Sequence, residues 1–160
     1  MGRNRERTMT IIIRRENALD RDAICKVHRL AFGNNAEANL VGALRDSGFV
    51  AVSLVAEMNG KVVGHILFIR VQISGKTGIL ESLSLAPMAV LPEFQRQRIG
   101  SKLLTVGLAT CRAMGHKIVL VLGHPEFYQR FGFSGDHSRL LIAARCRIRD
   151  QFSEFPIGSS

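Results

Sequence analysis

The residues best suited to chemistry lie in one run between Leu83 and Leu104, LSLAPMAVLPEFQRQRIGSKLL. An apolar, strand-like stretch from Leu83 to Val90 passes a short loop holding Pro92. It then reaches Gln95-Arg96-Gln97-Arg98-Ile99-Gly100-Ser101, where an amphipathic helix opens. The first backbone N–H groups of a helix have no partner inside it, and the helix dipole adds positive potential at the same end. A strand, a tight turn and a helix N-terminus therefore make a physical anion site. Arg96 and Arg98 put two cations there, which opposes helix stability and suits a bound polyphosphate. A solvated loop with incidental arginines has the same spacing, and spacing alone does not separate the two.

A second stretch carries the remaining chemistry. An apolar run, Val119 to Leu122, ends at Gly123 and is followed by His124-Pro125-Glu126-Phe127-Tyr128-Gln129-Arg130-Phe131-Gly132-Phe133. Tyr128 is the only tyrosine in the chain.

Together the two stretches resemble the two half-sites of the GCN5-related N-acetyltransferases, the GNAT family, and look most like its YhbS-type branch. The family pattern Gln/Arg-x-x-Gly-x-Gly/Ala falls on Gln95, Arg98 and Gly100, with Arg98 where the first glycine usually stands. An arginine resists the positive φ that a glycine adopts freely. The resemblance implies an acetyl-CoA cosubstrate, held by Gln95, Arg96, Gln97, Arg98, Ile99, Gly100 and Ser101, with Met88, Ala89 and Val90 lining the thioester. It implies direct transfer of an acetyl group to a primary amine in a ternary complex. The alternative on the same scaffold is a non-catalytic acyl-CoA-binding or regulatory module, since fold does not fix function.

Such a transfer needs an oxyanion site, an acceptor for the amine proton and an acid for the leaving thiolate. The resemblance gives the oxyanion site to backbone amides around Met88 to Val90 and the acid to Tyr128. A tyrosine of pKa about 10 can donate to a thiolate whose thiol has a pKa of about 8.5. For the base, Glu81 is the leading side chain, with Glu126 or a water relay as alternatives. Ser84 and His124 are candidates to line the acceptor pocket.

The bulk numbers fit this reading. The chain of 160 residues suits one domain, and 46% apolar with 22% charged residues is ordinary for a globular protein. No apolar run is long enough to span a bilayer and no secretory segment follows the basic start, so a cytoplasmic protein is expected. The net charge of +9 suits an anionic cofactor, nucleic acid or plain solubility. With no tryptophan and one tyrosine among scattered arginines, nucleic acid is not expected as the primary ligand. Cys25, Cys111 and Cys146 match no zinc pattern and no metal is expected; Cys25 and Cys111 read as buried thiols on helices. The acceptor amine is not identified by the sequence, and a homodimer is left open.

The elements that must position these groups follow from periodicity. Strands are expected at Ile11–Arg14, Val50–Met58, Val62–Ile73, Ile79–Val90 and Lys117–Leu122, and a further one at Leu140–Ala144. Asn59-Gly60 marks a hairpin, and Pro87 inside the fourth strand marks a bulge or an edge. Helices are expected from Asp20 or Asp22 to Ala31, from Ala36 to Asp46, from Ile99 to Ala113, and briefly from Pro125 to Phe131. His28 reads as a surface histidine on the first of them. The whole is a single mixed α/β (α+β) domain over residues 9–144, with a largely antiparallel, splayed sheet and helices on both faces. Residues 1–8 are expected to form a disordered basic start and residues 145–160 an irregular tail.

Overall fold

A computed structural model of the chain describes residues 10–122, 125–133 and 140–144. The expected start over residues 1–8 and the tail from residue 145 lie outside them, as does His124.

Six strands form one sheet in chain order: β1 (Ile11–Arg15), β2 (Val50–Met58), β3 (Lys61–Gly75), β4 (Gly78–Val90), β5 (Ile118–Leu122) and β6 (Leu140–Ala144). All neighbours are antiparallel except β4 and β5, which run parallel. The parallel step requires a crossover, supplied by α3 (Ile99–Ala113). Two further helices, α1 (Arg21–Phe32) and α2 (Ala36–Ser47), bridge β1 and β2, and the short α4 (Pro125–Gln129) follows β5. The fold class expected from the sequence is the one observed. No helix among the described residues is long and apolar enough to cross a membrane.

Alternation along the strands sends side chains to two covered faces. One face of β3 carries Gly64, Ile66 and Phe68, which meet α3: a Cβ on Gly64 would stand 3.0 Å from Leu103 Cδ1, and one on Gly107 would stand 2.6 Å from Phe68 Cε2. The buried positions of α3, Ile99, Leu103, Leu104, Gly107 and Cys111, recur at helical spacing. His65 points to the opposite face and meets α1, whose buried stripe is Ile24, Val27 and His28. His28 is therefore interior, not superficial. It stands four residues after Ile24, on the inward face, and its polar ring is compensated there by His65. Cys25 is exposed, one step off that stripe, while Cys111 is buried and its thiol is pushed up to about 12 by burial.

The β3–β4 register places Ile66 opposite Met88 but Phe68 opposite Leu85, so β4 has one residue more than β3 over this stretch. The bulge holds Pro87, which has no N–H to offer a ladder. Pairing of β4 with β5 covers only Leu83–Val119, Ser84–Leu120 and Leu85–Val121. From Ala86 onward β4 has no strand on that side, and the sheet opens.

The contact between Gly107 and the Phe68 ring sets how closely α3 lies on the sheet. Gly107→Ala is expected to lower stability by about 1–3 kcal/mol through overpacking. Urea unfolding checks this, and an unchanged midpoint would show that α3 is free to shift outward.

Candidate functional site

Where the sheet opens, backbone polar groups of β4 become available. Leu91 N–H bonds Val63 O at 2.8 Å, which fixes the sense of alternation along the strand. Ala89 faces β3, whereas Met88 and Val90 direct their amides into the gap. Of the three residues expected from the sequence, two therefore present backbone N–H groups there, and Ala89 contributes only a buried side chain. The Val90 carbonyl in the gap already accepts from Gln95 Nε2 at 3.0 Å.

The loop that follows turns by an unusual route. Arg96 and Arg98 both adopt left-handed backbone, with φ of 63° and 65°. For an arginine this conformation costs about 1–2 kcal/mol. Arg98, in place of the glycine, is the N-cap of α3, and no side chain caps the helix. Lys102 is the first residue to bond back, to Arg98 O at 3.0 Å, so the N–H groups of Ile99, Gly100 and Ser101 have no partner within the helix. Gln95 and Gln97 act as tethers: Gln97 Nε2 lies 3.3 Å from Glu93 O.

Two cavities lie along this path. The first, of about 460 Å³, sits over the N-terminus of α3 and is lined by Arg96, Arg98, Gly100 and Ser101 with Phe127 and Arg130. Gly100 forms its floor: a Cβ there would lie 3.7 Å from Met88 Cε, 3.9 Å from Val90 Cγ2 and 4.0 Å from Phe127 Cζ. Arg130 was not singled out from the sequence. Its guanidinium lies over the Phe127 ring at 5.2 Å, and the signal was its helical spacing of three from Phe127. The second cavity, of about 410 Å³, lies at the bulge, between Ser84–Met88 and Tyr128 on one side and Phe32, Glu37 and Leu40 on the other. The Tyr128 hydroxyl has its pKa raised by burial, so it is protonated at neutral pH. Tyr128 packs edge-on against Phe127 and Phe133.

Glu81 is not brought to this place. It is exposed on β4, opposite Gln72, and lines a separate cavity of about 520 Å³ with Arg70, Ser82 and His116. Ser84 does line the cavity with Tyr128. Nothing among the described residues groups into a metal site.

Residues 50–135 match the acetyltransferase (GNAT) domain family, more than half of the chain. Over 149 residues the chain is 36% identical to the uncharacterized N-acetyltransferase YhbS of Escherichia coli, covering 92% of this chain and 86% of that one. The chain belongs to the GNAT family. It is also 42% identical over 116 residues to the uncharacterized N-acetyltransferase YjhQ of Escherichia coli, covering 71% of this chain and 64% of that relative, so the match falls short of two thirds of YjhQ's length. A GNAT acetyltransferase from Brucella melitensis, solved in complex with acetyl-CoA, superposes with a TM-score of 0.80 at 33% identity, covering 94% of each chain. YhbS from Escherichia coli, solved with CoA, superposes with a TM-score of 0.78 at 30% identity, covering 85% of this chain and 82% of that one.

Behind the cavity at the bulge, this GNAT chain holds a polar chain that sequence reasoning missed, because its members are scattered over Glu16, His28, Ser53 and His65. His28 Nε2 lies 2.8 Å from His65 Nδ1, and His65 Nε2 lies 2.8 Å from Ser53 Oγ and 3.4 Å from Glu16 Oε2. Ser53 Oγ donates to Glu16 Oε2, and Arg45 closes the chain at 2.5 Å from Glu16 Oε1. Burial alone would raise the Glu16 pKa, but hydrogen bonds from His65 and Ser53 and the Arg45 charge bring it to about 2. An ionised Glu16 only accepts, so Ser53 spends its proton on it and must accept from His65 Nε2–H. His65 Nδ1 is then bare and accepts from His28 Nε2–H. The two tautomers follow from the bonding pattern. His28 Nδ1 is left buried without a partner among the described residues.

This chain fixes a pH dependence. Burial, with the fields of His65 and Arg45, lowers His28 to about 3, while the unfolded side chain titrates near 6.5. The unfolded chain therefore binds the extra proton below pH 6.5, and stability falls from there toward pH 3. Glu16, lowered from 4.5 to about 2, contributes stability above pH 4.5 that is lost between 4.5 and 2. Both act in the same direction, at up to about 1.4 kcal/mol per pH unit for each proton. Urea midpoints are expected to fall steadily from pH 7 to pH 4, and His28→Gln to make the part between 6.5 and 4.5 shallower, the remaining slope coming from His65, also lowered by burial. A flat wild-type profile would contradict the buried neutral pair.

Proposed function

We propose that this chain is an acetyl-CoA-dependent N-acetyltransferase that passes the acetyl group to a primary amine by direct attack in a ternary complex. The observation that carries the reading is the opening of β4 from β5 after Leu85, which runs from the cavity beside Tyr128 to the N-terminus of α3. The solved relatives that bind acetyl-CoA and CoA support the choice of cosubstrate.

Gln95 to Ser101 hold the pyrophosphate, with main-chain N–H groups of Ile99, Gly100 and Ser101 and the charges of Arg96, Arg98 and Arg130. The left-handed turns at Arg96 and Arg98 bring the backbone to the phosphates as a glycine would. The pantetheine arm lies along Met88 to Val90 in the position of a missing strand. The neutral amine nitrogen attacks the thioester carbon, and the carbonyl oxygen takes the negative charge beside the Met88 or Val90 amide. As the intermediate collapses, the carbon–sulfur bond breaks and its electron pair leaves on sulfur. Tyr128 gives its proton to the thiolate and recovers one from water. The proton lost by the amine passes to water, because Glu81 opens onto a different cavity.

Titration calorimetry with acetyl-CoA, followed by thiol release over a panel of amines, tests this reading. Binding without thiol release from any amine would favour the non-catalytic acyl-CoA-binding module. A Cβ at residue 100 meets only ordinary contacts, so Gly100→Asp should fold and lose at least about 100-fold in acetyl-CoA affinity, a charge effect of about 3 kcal/mol. Unchanged affinity would remove Gln95 to Ser101 from the site.

Tyr128→Phe keeps the ring and removes the proton. Turnover should fall by about 100-fold or more with acetyl-CoA affinity near wild type. Full turnover in that variant would leave water to protonate the thiolate.

A further inference from the structure

We infer that Glu37 is the residue that selects the acceptor, and that the acceptor is an apolar body carrying one ammonium group, such as an arylalkyl or alkyl monoamine. This rests on the transferase reading for the reaction that follows, but the binding site itself does not. Glu37 stands in the first turn of α2 and lines the cavity at the β4 bulge, across from Tyr128. Its Oε2 is buried and has no hydrogen-bond partner among the described residues. A glutamate that only complemented the helix dipole would keep both oxygens in water. The Glu37 carboxylate has no cation among the residues that line the cavity, and a bound N–H⁺ group supplies one.

The rest of the wall sets the class of ligand. Phe32 and Leu40 are 42% and 45% exposed on the flanking helices, and Leu85, Pro87 and Met88 continue the apolar surface on β4. Phe32 is held flat against His28, with ring centroids 6.1 Å apart and planes 3° from parallel, so this wall is seated on the buried polar chain. Glu37 is the only charged residue lining the cavity among the described residues. One ammonium group finds a counter-charge; a second, as in a polyamine, would face hydrocarbon. A free amino acid would bring a carboxylate to a wall with no cation. The cavity falls within the size range of small-molecule sites.

The test uses the full chain and five probes: phenethylamine, hexylamine, spermidine, phenylalanine and the uncharged phenethyl alcohol. Calorimetry in the presence of CoA measures amine binding without turnover, and thiol release with acetyl-CoA measures transfer. Wild type should bind and use the two monoamines in preference to spermidine and phenylalanine. Glu37→Gln should raise the KM for phenethylamine by about 10-fold or more, with a much smaller change in kcat and acetyl-CoA affinity unchanged. Glu37→Asp should recover part of the loss. Phenethyl alcohol, which has no charge, should bind the Gln variant as well as wild type. An unaltered KM in Glu37→Gln, no binding of either monoamine, or a preference for spermidine or phenylalanine each overturns the inference. Glu37-dependent amine binding with no thiol release would sink the transferase reading and leave the amine site standing. Transfer that is indifferent to Glu37 would do the reverse.

Discussion

Parallel pairing of β4 with β5 ends at Leu85, although both strands are flanked on their other sides. Beyond that point the amides of Met88 and Val90 lose the neighbour that a continuous sheet would provide. Such groups are costly to bury without partners and are normally paired. The molecule meets this constraint in two ways. The Gln95 side chain takes the Val90 carbonyl, and the bulge at Pro87 puts a residue without an N–H next to the opening. What remains unpaired is a short polar edge that continues into the first N–H groups of α3, which have no partner within the helix. The position of the cavities, the route of the loop and the place of Tyr128 all depend on where the pairing stops.

Holding that opening carries local costs. Arg96 and Arg98 sit in backbone that arginine disfavours. Strain of this kind persists where surrounding contacts over-determine it, and it gathers at binding sites. Here the contacts are Gln95 on Val90, Gln97 on Glu93 and the burial of Ile99 against the sheet. A comparable arrangement stands on the other face, where two neutral histidines are kept in the interior by a carboxylate at the end of their hydrogen-bond chain. That chain joins the turn after β1, strands β2 and β3 and α1, and through Arg45 it reaches α2.

Much of this was legible in the sequence. Local patterns gave the strands and helices, the hairpin at Asn59-Gly60 and the bulge at Pro87, because period, turn chemistry and a missing N–H act within a few residues. The strand–loop–helix arrangement that leads into α3 was legible for the same reason, and so was the oddity of Arg98. Long-range pairings were not. His28 reads as superficial until His65, 37 residues away, supplies its partner. Glu81 lies only a few positions before the bulge, yet register and strand direction carry it to another cavity. Glu37 gave no local signal, since a glutamate in the first turn of a helix is ordinary. Only the burial of one of its oxygens, in a residue lining the same cavity as Tyr128, sets it apart.

The helical wall of the cavity at the bulge has a consequence for how such a chain diverges. Phe32 and Leu40 are exposed on α1 and α2, outside the packed interior, which is filled from those helices by Ile24, Val27, His28 and Val41. Exposed positions usually change stability by no more than about 0.5 kcal/mol when substituted. The groups proposed to hold acetyl-CoA stand elsewhere, on β4, α3 and α4. Descendants of this sequence can therefore exchange one wall at little thermodynamic risk while the other is kept. A scaffold partitioned in this way is free to explore new acceptors by single substitutions without first losing its donor.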